Sequence, residues 1–177
     1  MRVNSVYKPQ AVLRMLLCRT LVVAMAVGIS APTIVIAAAT LHVPADFSAI
    51  QAAIDAAVNG DTIVVAPGIY HEKINFHGKA ITVTSESGPD VTMIDGDNSG
   101  SVVTFQTSET SLAVLNGFTI QHGSASFGAG MTLTGASPTI TGNIFDSNTQ
   151  SAGGFGAGIG GNGSSPIVKR NRFQNNT

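Results

Sequence analysis

The sequence contains no tryptophan and a single cysteine, and charged residues make up only 11% of it. With one cysteine the chain cannot form an internal disulfide bond, which excludes a disulfide-stabilised scaffold. A helical bundle is disfavoured, because Leu, Lys and Glu are scarce and 20 glycines are present. The abundant Gly, Thr, Ser, Asn, Val and Ile suit short strands and turns, and 177 residues suit one domain.

The segment 1–39 has the three parts of a signal peptide. Four basic residues and no acidic residue precede an apolar run, LVVAMAVGISAPTIVI, at 21–36, and three alanines at 37–39 form a small-residue cleavage site. The alternative is a membrane span, but the run is shorter than the usual ~20 residues and no basic cluster follows it. We predict a signal peptide at 1–39, followed by a domain at 40–177 that is secreted, periplasmic or on the cell surface.

Removal of this segment changes the cysteine content and the charge of the protein. Cys18 lies before the apolar run, so it is not placed as a lipid-attachment site, and it would be lost on cleavage. Five basic and ten acidic residues would remain, a net charge near −5. This charge does not favour nucleic acids or anionic membranes as partners. We expect neither a nucleic-acid partner nor a membrane span in the mature protein.

One amphipathic helix is predicted at about 47–59. Ser48 and Gln51 have the spacing of a capping box, and Asn59-Gly60 is a typical helix end. Apolar residues share one helical face: Ile50, Ala53, Ile54, Ala57 and Val58. After the helix, runs rich in Val, Ile and Thr indicate short strands separated by turns, at 62–66, 80–85, 91–94, 101–105, 112–115, 117–120, 131–134 and 138–141. A sandwich, a barrel or a solenoid would fit these runs.

An internal repeat decides between these architectures. The segment 127–149 aligns without a gap with the segment 155–177, and 11 of 23 positions are identical. A repeat of this length is typical of solenoids, whereas propeller blades need ~40 residues and leucine-rich repeats need leucine ladders. We predict an all-β parallel β-helix, in which the helix at 47–59 caps one end.

Stacking of the coils ~4.8 Å apart would place equivalent residues directly above one another. We predict an internal aromatic stack of Phe118, Phe145 and Phe173. We predict an asparagine ladder of Asn116, Asn143 and Asn171. Gly130 and Gly158 are predicted to allow tight or positive-φ turns.

Three segments of the chain carry a family resemblance. Residues 49–74 read AIQAAIDAAVNGDTIVVAPGIYHEKI, and residues 80–105 read AITVTSESGPDVTMIDGDNSGSVVTF. The later units follow the pattern SP-x-I/V-x-x-N-x-F-x-x-NT. Together they resemble extracellular proteins of the pectin-lyase-like superfamily over nearly all of 41–177. The resemblance implies a right-handed parallel β-helix, but that superfamily includes lyases, hydrolases, esterases, epimerases and adhesins, so it implies no single activity.

The segment PGIYHEKI is similar to a scaffold segment of pectin methylesterases through Pro67, Gly68, Tyr70 and Glu72. The QDTL-like and DFIFG-like segments that carry that family's catalytic carboxylates are absent. Because neighbouring residues of a strand point to opposite faces, His71 and Glu72 cannot act as a local pair. We interpret both as structural or surface residues.

The segment IDGDNSG resembles the start of a calcium-binding loop. Asp95, Asp97, Ser99 and Gly100 match that pattern, but the twelfth position is Gln106, where such loops have a bidentate Glu. An acidic turn between two coils explains the segment without a metal ion. We expect no cofactor, with calcium as the alternative.

The basic cluster of Lys169, Arg170 and Arg172 is the remaining candidate site. Lyases with this fold combine calcium, held by carboxylates, with an Arg or Lys base. No acidic residue lies at the equivalent positions one repeat earlier, which are Gly142 and Ile144, so we interpret the cluster as a solvated basic strand. Besides this cluster, the stacked coils offer only Asp146 as a charged candidate. The histidines His42, His77 and His122 are isolated in sequence and show no metal-ligand spacing. No two acids recur at the coil period, and the catalytic residues are unknown.

These observations favour an exported, monomeric β-helix protein that interacts with a polysaccharide or cell-surface glycan and has no identifiable catalytic site. The alternative is an enzyme of the pectate-lyase type whose active-site coils are missing or divergent. The final repeat ends in the middle of a coil at Thr177, which suggests a truncated solenoid.

Overall fold

The structure is a computed structural model and describes residues 37–177. Strands make up 44% of it and helix 5%, and the strands stack in parallel as a β-solenoid of about 5 turns. This confirms the predicted all-β solenoid with one short helix. Residues 1–36 of the predicted signal peptide lie outside the described residues. In the described part of the chain, no helix is long and apolar enough to cross a membrane.

The elements follow one another around the solenoid, coil by coil. Strand β1 (Thr40–Val43) precedes helix α1 (Ile50–Ala56). The first coil contains β2 (Thr62–Val65), β3 (Gly68–His71) and β4 (Ile74–Asn75). The second contains β5 (Thr82–Ser85), β6 (Thr92–Asp95) and β7 (Val103–Phe105). The third contains β8 (Val114–Asn116), β9 (Thr119–Gln121), β10 (Ser124–Phe127) and β11 (Met131–Thr134). The fourth contains β12 (Thr139–Thr141), β13 (Ile144–Asp146), β14 (Thr149–Phe155) and β15 (Ile159–Asn162), and β16 (Ile167–Lys169) and β17 (Arg172–Gln174) belong to the fifth.

Three parallel sheets form the walls of the solenoid. The first sheet has the order β1-β2-β5-β8-β12-β16, the second β3-β6-β9-β13-β17, and the third β4-β7-β11-β15. Strands β10 and β14 form a smaller fourth sheet. One inward-facing register position of the first sheet is apolar and at most 1% exposed in every strand from β1 to β12. Its residues are Leu41, Ile63, Val83, Leu115 and Ile140. In the first sheet up to the fourth coil, this alternation buries one face of each strand, and burial of apolar surface contributes about 25 cal/mol per Å².

The coils differ in length, which the repeat in the sequence does not reveal. One position of the first sheet, followed from coil to coil by its register partners, passes through Thr62, Thr82, Val114, Thr139 and Ile167. The first of these four steps is the shortest and the second is the longest. Only the last step has the same length as the spacing between the two aligned copies of the repeat.

The predicted aromatic stack is correct for two of its three members. The rings of Phe145 and Phe173 are stacked, with centroids 4.9 Å apart and an interplanar angle of 7°. Phe118 is buried, but the register partner of Phe145 in the preceding coil is Ile120. The prediction for Phe118 is therefore wrong, because the third coil is shorter than the repeat.

Two glycines are needed for close packing against these rings. A Cβ at Gly130 would lie 3.0 Å from Cδ1 of Phe145, and one at Gly158 would lie 2.9 Å from Cδ1 of Phe173. Both glycines lie in bends, as predicted, but neither has a positive φ. Their lack of a side chain matters here, and their conformational freedom does not.

The asparagine ladder is also correct for the last two coils. The Asn143 side chain donates a hydrogen bond of 3.2 Å to Oδ1 of Asn171. Asn116 is not part of this ladder, since it pairs with Thr141 and donates to the Thr84 hydroxyl. A second ladder, not predicted, joins Asn148 to Asn176 through a hydrogen bond of 2.9 Å.

The helix is shorter than predicted, and a distant residue caps it. The N-cap residue is Ala49, which has no capping side chain, so the predicted capping box of Ser48 and Gln51 is wrong. The Glu72 carboxylate instead accepts hydrogen bonds of 2.9 Å from the backbone N–H groups of Ile50 and Gln51. Helix α1 packs against β1, β2 and β4. Glu72 therefore has a structural role, in agreement with its interpretation from the sequence.

Candidate functional site

A row of polar side chains runs along the second sheet, where its strands end. The final residues of its five strands are register partners in consecutive coils. From the first coil to the fifth, these residues are His71, Asp95, Gln121, Asp146 and Gln174. We call this set the polar column. Parallel pairing spaces its members by about 4.8 Å along the solenoid.

A recurring turn follows three of these strands. The residue after the column position has a left-handed backbone in His122, Ser147 and Asn175, with φ between 52° and 54°. Residues with this φ are uncommon and occur mostly in turns. The chain therefore leaves the second sheet with the same backbone conformation in the last three coils.

Amide side chains alternate with carboxylates in the column. The Gln121 amide donates a hydrogen bond of 2.8 Å to Oδ2 of Asp95, and the Gln174 amide donates one of 2.8 Å to Oδ2 of Asp146. Nδ1 of His122 lies 2.8 Å from the same Asp95 oxygen. Since like charges on neighbouring strands are destabilising, the glutamine between the two aspartates allows both to be ionised.

The two column carboxylates ionise more readily than ordinary aspartates. Burial alone would raise the pKa of Asp95, but hydrogen bonds from the Asp97 N–H, Gln121 and His122 outweigh it and lower that pKa. The pKa of Asp146 is lowered in the same way, because hydrogen bonds from Gln174 and its neighbours outweigh the effect of burial. Both carboxylates are therefore negatively charged at neutral pH.

This lowered pKa predicts how stability depends on pH. The contribution of Asp146 is fully present above the pKa of an unfolded aspartate, about 3.9, and is lost as pH falls through the folded pKa. In urea unfolding at pH values from about 5 to about 2, Asp146→Asn should show a smaller loss of stability on acidification than the wild type. Asp90→Asn, which changes an exposed carboxylate in the loop between β5 and β6, is the control and should keep the wild-type slope. Equal slopes in all three proteins would contradict the prediction.

His71 lies beside the loop that contains the IDGDNSG segment. Its Nδ1 atom is 2.7 Å from Oδ1 of Asp97, and hydrogen bonding to Asp97 raises the pKa of His71. The Lys73 ammonium donates a hydrogen bond of 3.0 Å to the Ser99 hydroxyl in the same loop. These side chains and Asp95 line a small cavity of about 90 Å³.

An aromatic pair, of which one member is exposed, lies in the fourth sheet, further along the third and fourth coils. Phe127 of β10 is the register partner of Phe155 of β14, and Phe155 is 75% exposed. Strand β10 begins at Ser124, which forms a bridge with Gly100 at the end of the acidic loop. Phe127 therefore belongs to a strand that begins next to this loop, and Phe155 lies beside it in the next coil.

The structure brings together residues that are far apart in sequence. His71, Asp95 and Asp97 converge, and His122 contacts Asp95. No acidic residue of the polar column has an acidic register partner in the next coil, but Asp95 and Asp146 are aligned in the column two coils apart. Their alignment depends on two coils that are both shorter than the aligned repeat, so a search at the repeat period does not detect it. The sequence signal was the polar residue that ends each strand of the second sheet.

Within residues 37–177, no ion pair joins the basic cluster to an acidic side chain. Lys169, Arg170 and Arg172 are all exposed. The register partner of Lys169 is Thr141. The register partner of Arg172 is Ile144, as predicted from the repeat. This placement agrees with a solvated basic strand.

Comparison with known proteins gives no information about the role of this protein, so the geometry of the polar column is the main guide to it. No protein-family model, curated protein or solved structure matches the chain. The resemblance to the pectin-lyase-like superfamily therefore stays a prediction.

Proposed function

We propose that the protein is an exported, monomeric β-solenoid that binds a polysaccharide or cell-surface glycan along the polar column. This proposal rests on one observation: the last residues of the five strands of the second sheet are all polar and are register partners of one another. A polysaccharide repeats its hydroxyl groups along an extended chain, and the column repeats donors and acceptors about every 4.8 Å along its own axis. Export rests on the signal-peptide pattern of the segment 1–39.

The chemistry of the column suits sugar hydroxyl groups. The carboxylate of Asp146, which is only partly buried, is an acceptor only, and hydrogen bonds from hydroxyl groups to such an anion are short and strong. The Gln121 and Gln174 amides each have a donor and an acceptor for the neighbouring hydroxyls. The exposed ring of Phe155 offers an apolar surface for the C–H face of a sugar.

Charge favours a neutral saccharide over an acidic one. The column contains two carboxylates, and residues 40–177 have an excess of acidic side chains. A uronic-acid polymer would be repelled by this field, whereas a neutral glucan would not. We therefore propose a neutral, extended glycan as the ligand.

Calorimetric titration of the purified chain with soluble neutral glucans and with polygalacturonan tests this proposal. We expect a neutral glucan to bind more tightly than polygalacturonan. Gln121→Ala should weaken binding about fivefold, because it removes a net contribution of about 1 kcal/mol. Gln106→Ala, which truncates an exposed glutamine outside the column, is the control and should bind like the wild type. Failure to bind any saccharide, or equal weakening by both variants, would contradict the proposal.

One observation favours the alternative of a polysaccharide lyase. Lys73 lines the same small cavity as His71, Asp95 and Asp97, so a basic side chain lies beside two carboxylates. This arrangement resembles that of polysaccharide lyases, which combine carboxylates with a Lys or Arg base. The polygalacturonan samples should therefore also be assayed for unsaturated products, with and without calcium. We expect none, and their release would replace the binding proposal with the enzymatic one.

A further inference from the structure

Three side chains with metal-binding atoms converge at one corner of the solenoid. His71, Asp95 and Asp97 each offer one ligand atom, and the three atoms lie within 4.8 Å of one another. His71 ends β3 in the first coil, whereas the two aspartates belong to the second coil. Stacking of the two coils therefore creates the group, and neither coil contains it alone.

The ligand types indicate which class of metal ion would bind. Calcium prefers six to eight oxygen ligands, which a group containing an imidazole does not supply. One imidazole nitrogen with two carboxylate oxygens suits first-row transition metals such as Zn²⁺. The His71 and Asp97 side chains are 61% and 62% exposed, so further positions on the ion would face solvent.

The least exposed member of the group is already held in place. The Asp95 side chain is only 9% exposed, and Gln121 and His122 of the next coil both contact its Oδ2 atom. Hydrogen bonds of this kind orient a ligating carboxylate before the metal arrives.

The exposed members have the freedom to complete the coordination. Zn–N and Zn–O distances are about 2.0–2.2 Å, so Nδ1 of His71 and Oδ1 of Asp97, now 2.7 Å apart, would separate slightly. The ion would replace the proton between these two atoms, and the neutral imidazole would keep its proton on Nε2.

We propose that His71, Asp95 and Asp97 bind one divalent transition-metal ion, with Zn²⁺ as the representative. The cavity of about 90 Å³ beside them, which Lys73 also lines, gives access to the ion. The site does not depend on saccharide binding, since all three ligands belong to the chain.

Calorimetric titration of the untagged full-length chain with Zn²⁺ alone tests the site. We expect one Zn²⁺ per chain, and a large excess of Ca²⁺ should not displace it. His71→Ala should weaken Zn²⁺ binding by about tenfold or more, and Asp97→Asn should have a similar effect. The control is His77→Ala, which removes a histidine of similar exposure that lies 3.9 Å from Asp55 but outside the group. It should bind Zn²⁺ like the wild type.

Several results would overturn the proposal. These are no Zn²⁺ binding by the wild type, displacement by Ca²⁺, wild-type affinity in both His71→Ala and Asp97→Asn, or equal weakening in His77→Ala. Thermal unfolding of each variant without metal shows whether it is folded, and two independent ligand variants keep the test decisive if one of them unfolds. Because no saccharide is present, failure of glycan binding does not affect the outcome.

Discussion

Phe145→Ala should lower the free energy of unfolding by about 3–5 kcal/mol, the range for large-to-small changes of buried aromatic residues. The Phe145 side chain is fully buried and stacks on Phe173 at a centroid distance of 4.9 Å. Gly130 packs closely against its ring and has no side chain that could fill the cavity. Urea unfolding followed by circular dichroism would measure the loss.

The matched control is Phe173→Ala, which breaks the same stack from its exposed side. Phe173 is 51% exposed, so its removal leaves no closed cavity. We expect a loss of about 1 kcal/mol, the typical contribution of an aromatic pair. If the two variants lost equal stability, the proposed difference between a buried and an exposed ring in this stack would be wrong.

Asn148→Ala should lower the free energy of unfolding by about 2–3 kcal/mol, because it removes buried hydrogen bonds to two backbone groups and leaves the buried Gly123 N–H without its partner. The fully buried Asn148 amide donates to the carbonyl oxygen of Ile120, and its oxygen accepts from the backbone N–H of Gly123. It also donates to Asn176 in the next coil. Alanine would satisfy none of these groups, and the loss would be seen in the same unfolding measurement.

Asn116→Ala is the control for this second effect. Asn116 was predicted to belong to a ladder, but its amide donates only to the Thr84 hydroxyl, and both residues are only half-buried. Water can replace that bond, so we expect a loss below about 1 kcal/mol. A loss as large as that of Asn148→Ala would mean that Asn116 has a role in the ladder that its contacts do not reveal.

The sequence was a reliable guide wherever the step between coils equals the aligned repeat. The fourth and fifth coils are related by this step, and there the pairs Phe145–Phe173 and Asn143–Asn171 were predicted correctly. At Asn116 and Phe118 the same reasoning failed, because the step between the third and fourth coils is shorter. A repeat identifies register only where no loop changes length between its copies.

The candidate site could not be predicted in this way. Asp95 and Asp97 were identified as a loop with an incomplete set of calcium ligands, but nothing in the sequence places His71 beside them. Their contact depends on the pairing of β3 with β6, which belong to coils of unequal length. The helix cap shows the same limit, since Glu72 binds the backbone N–H group of Ile50, a residue of a different element that lies far from it in sequence.

The sequence by itself determined the fold class, because its causes are local. The alternation of buried and exposed residues in a strand depends on neighbouring residues, and the turns depend on single Gly, Asn and Ser residues. The parallel stacking was predicted from the length of the repeat, which is too short for the other repeat architectures. Only the tertiary structure decided which residues of successive coils face one another. The register between coils depends on which apolar residues fill the shared core. The loops between strands differ in length from coil to coil, so the sequence spacing of register partners also differs. The polar column is therefore visible only once the strands are paired.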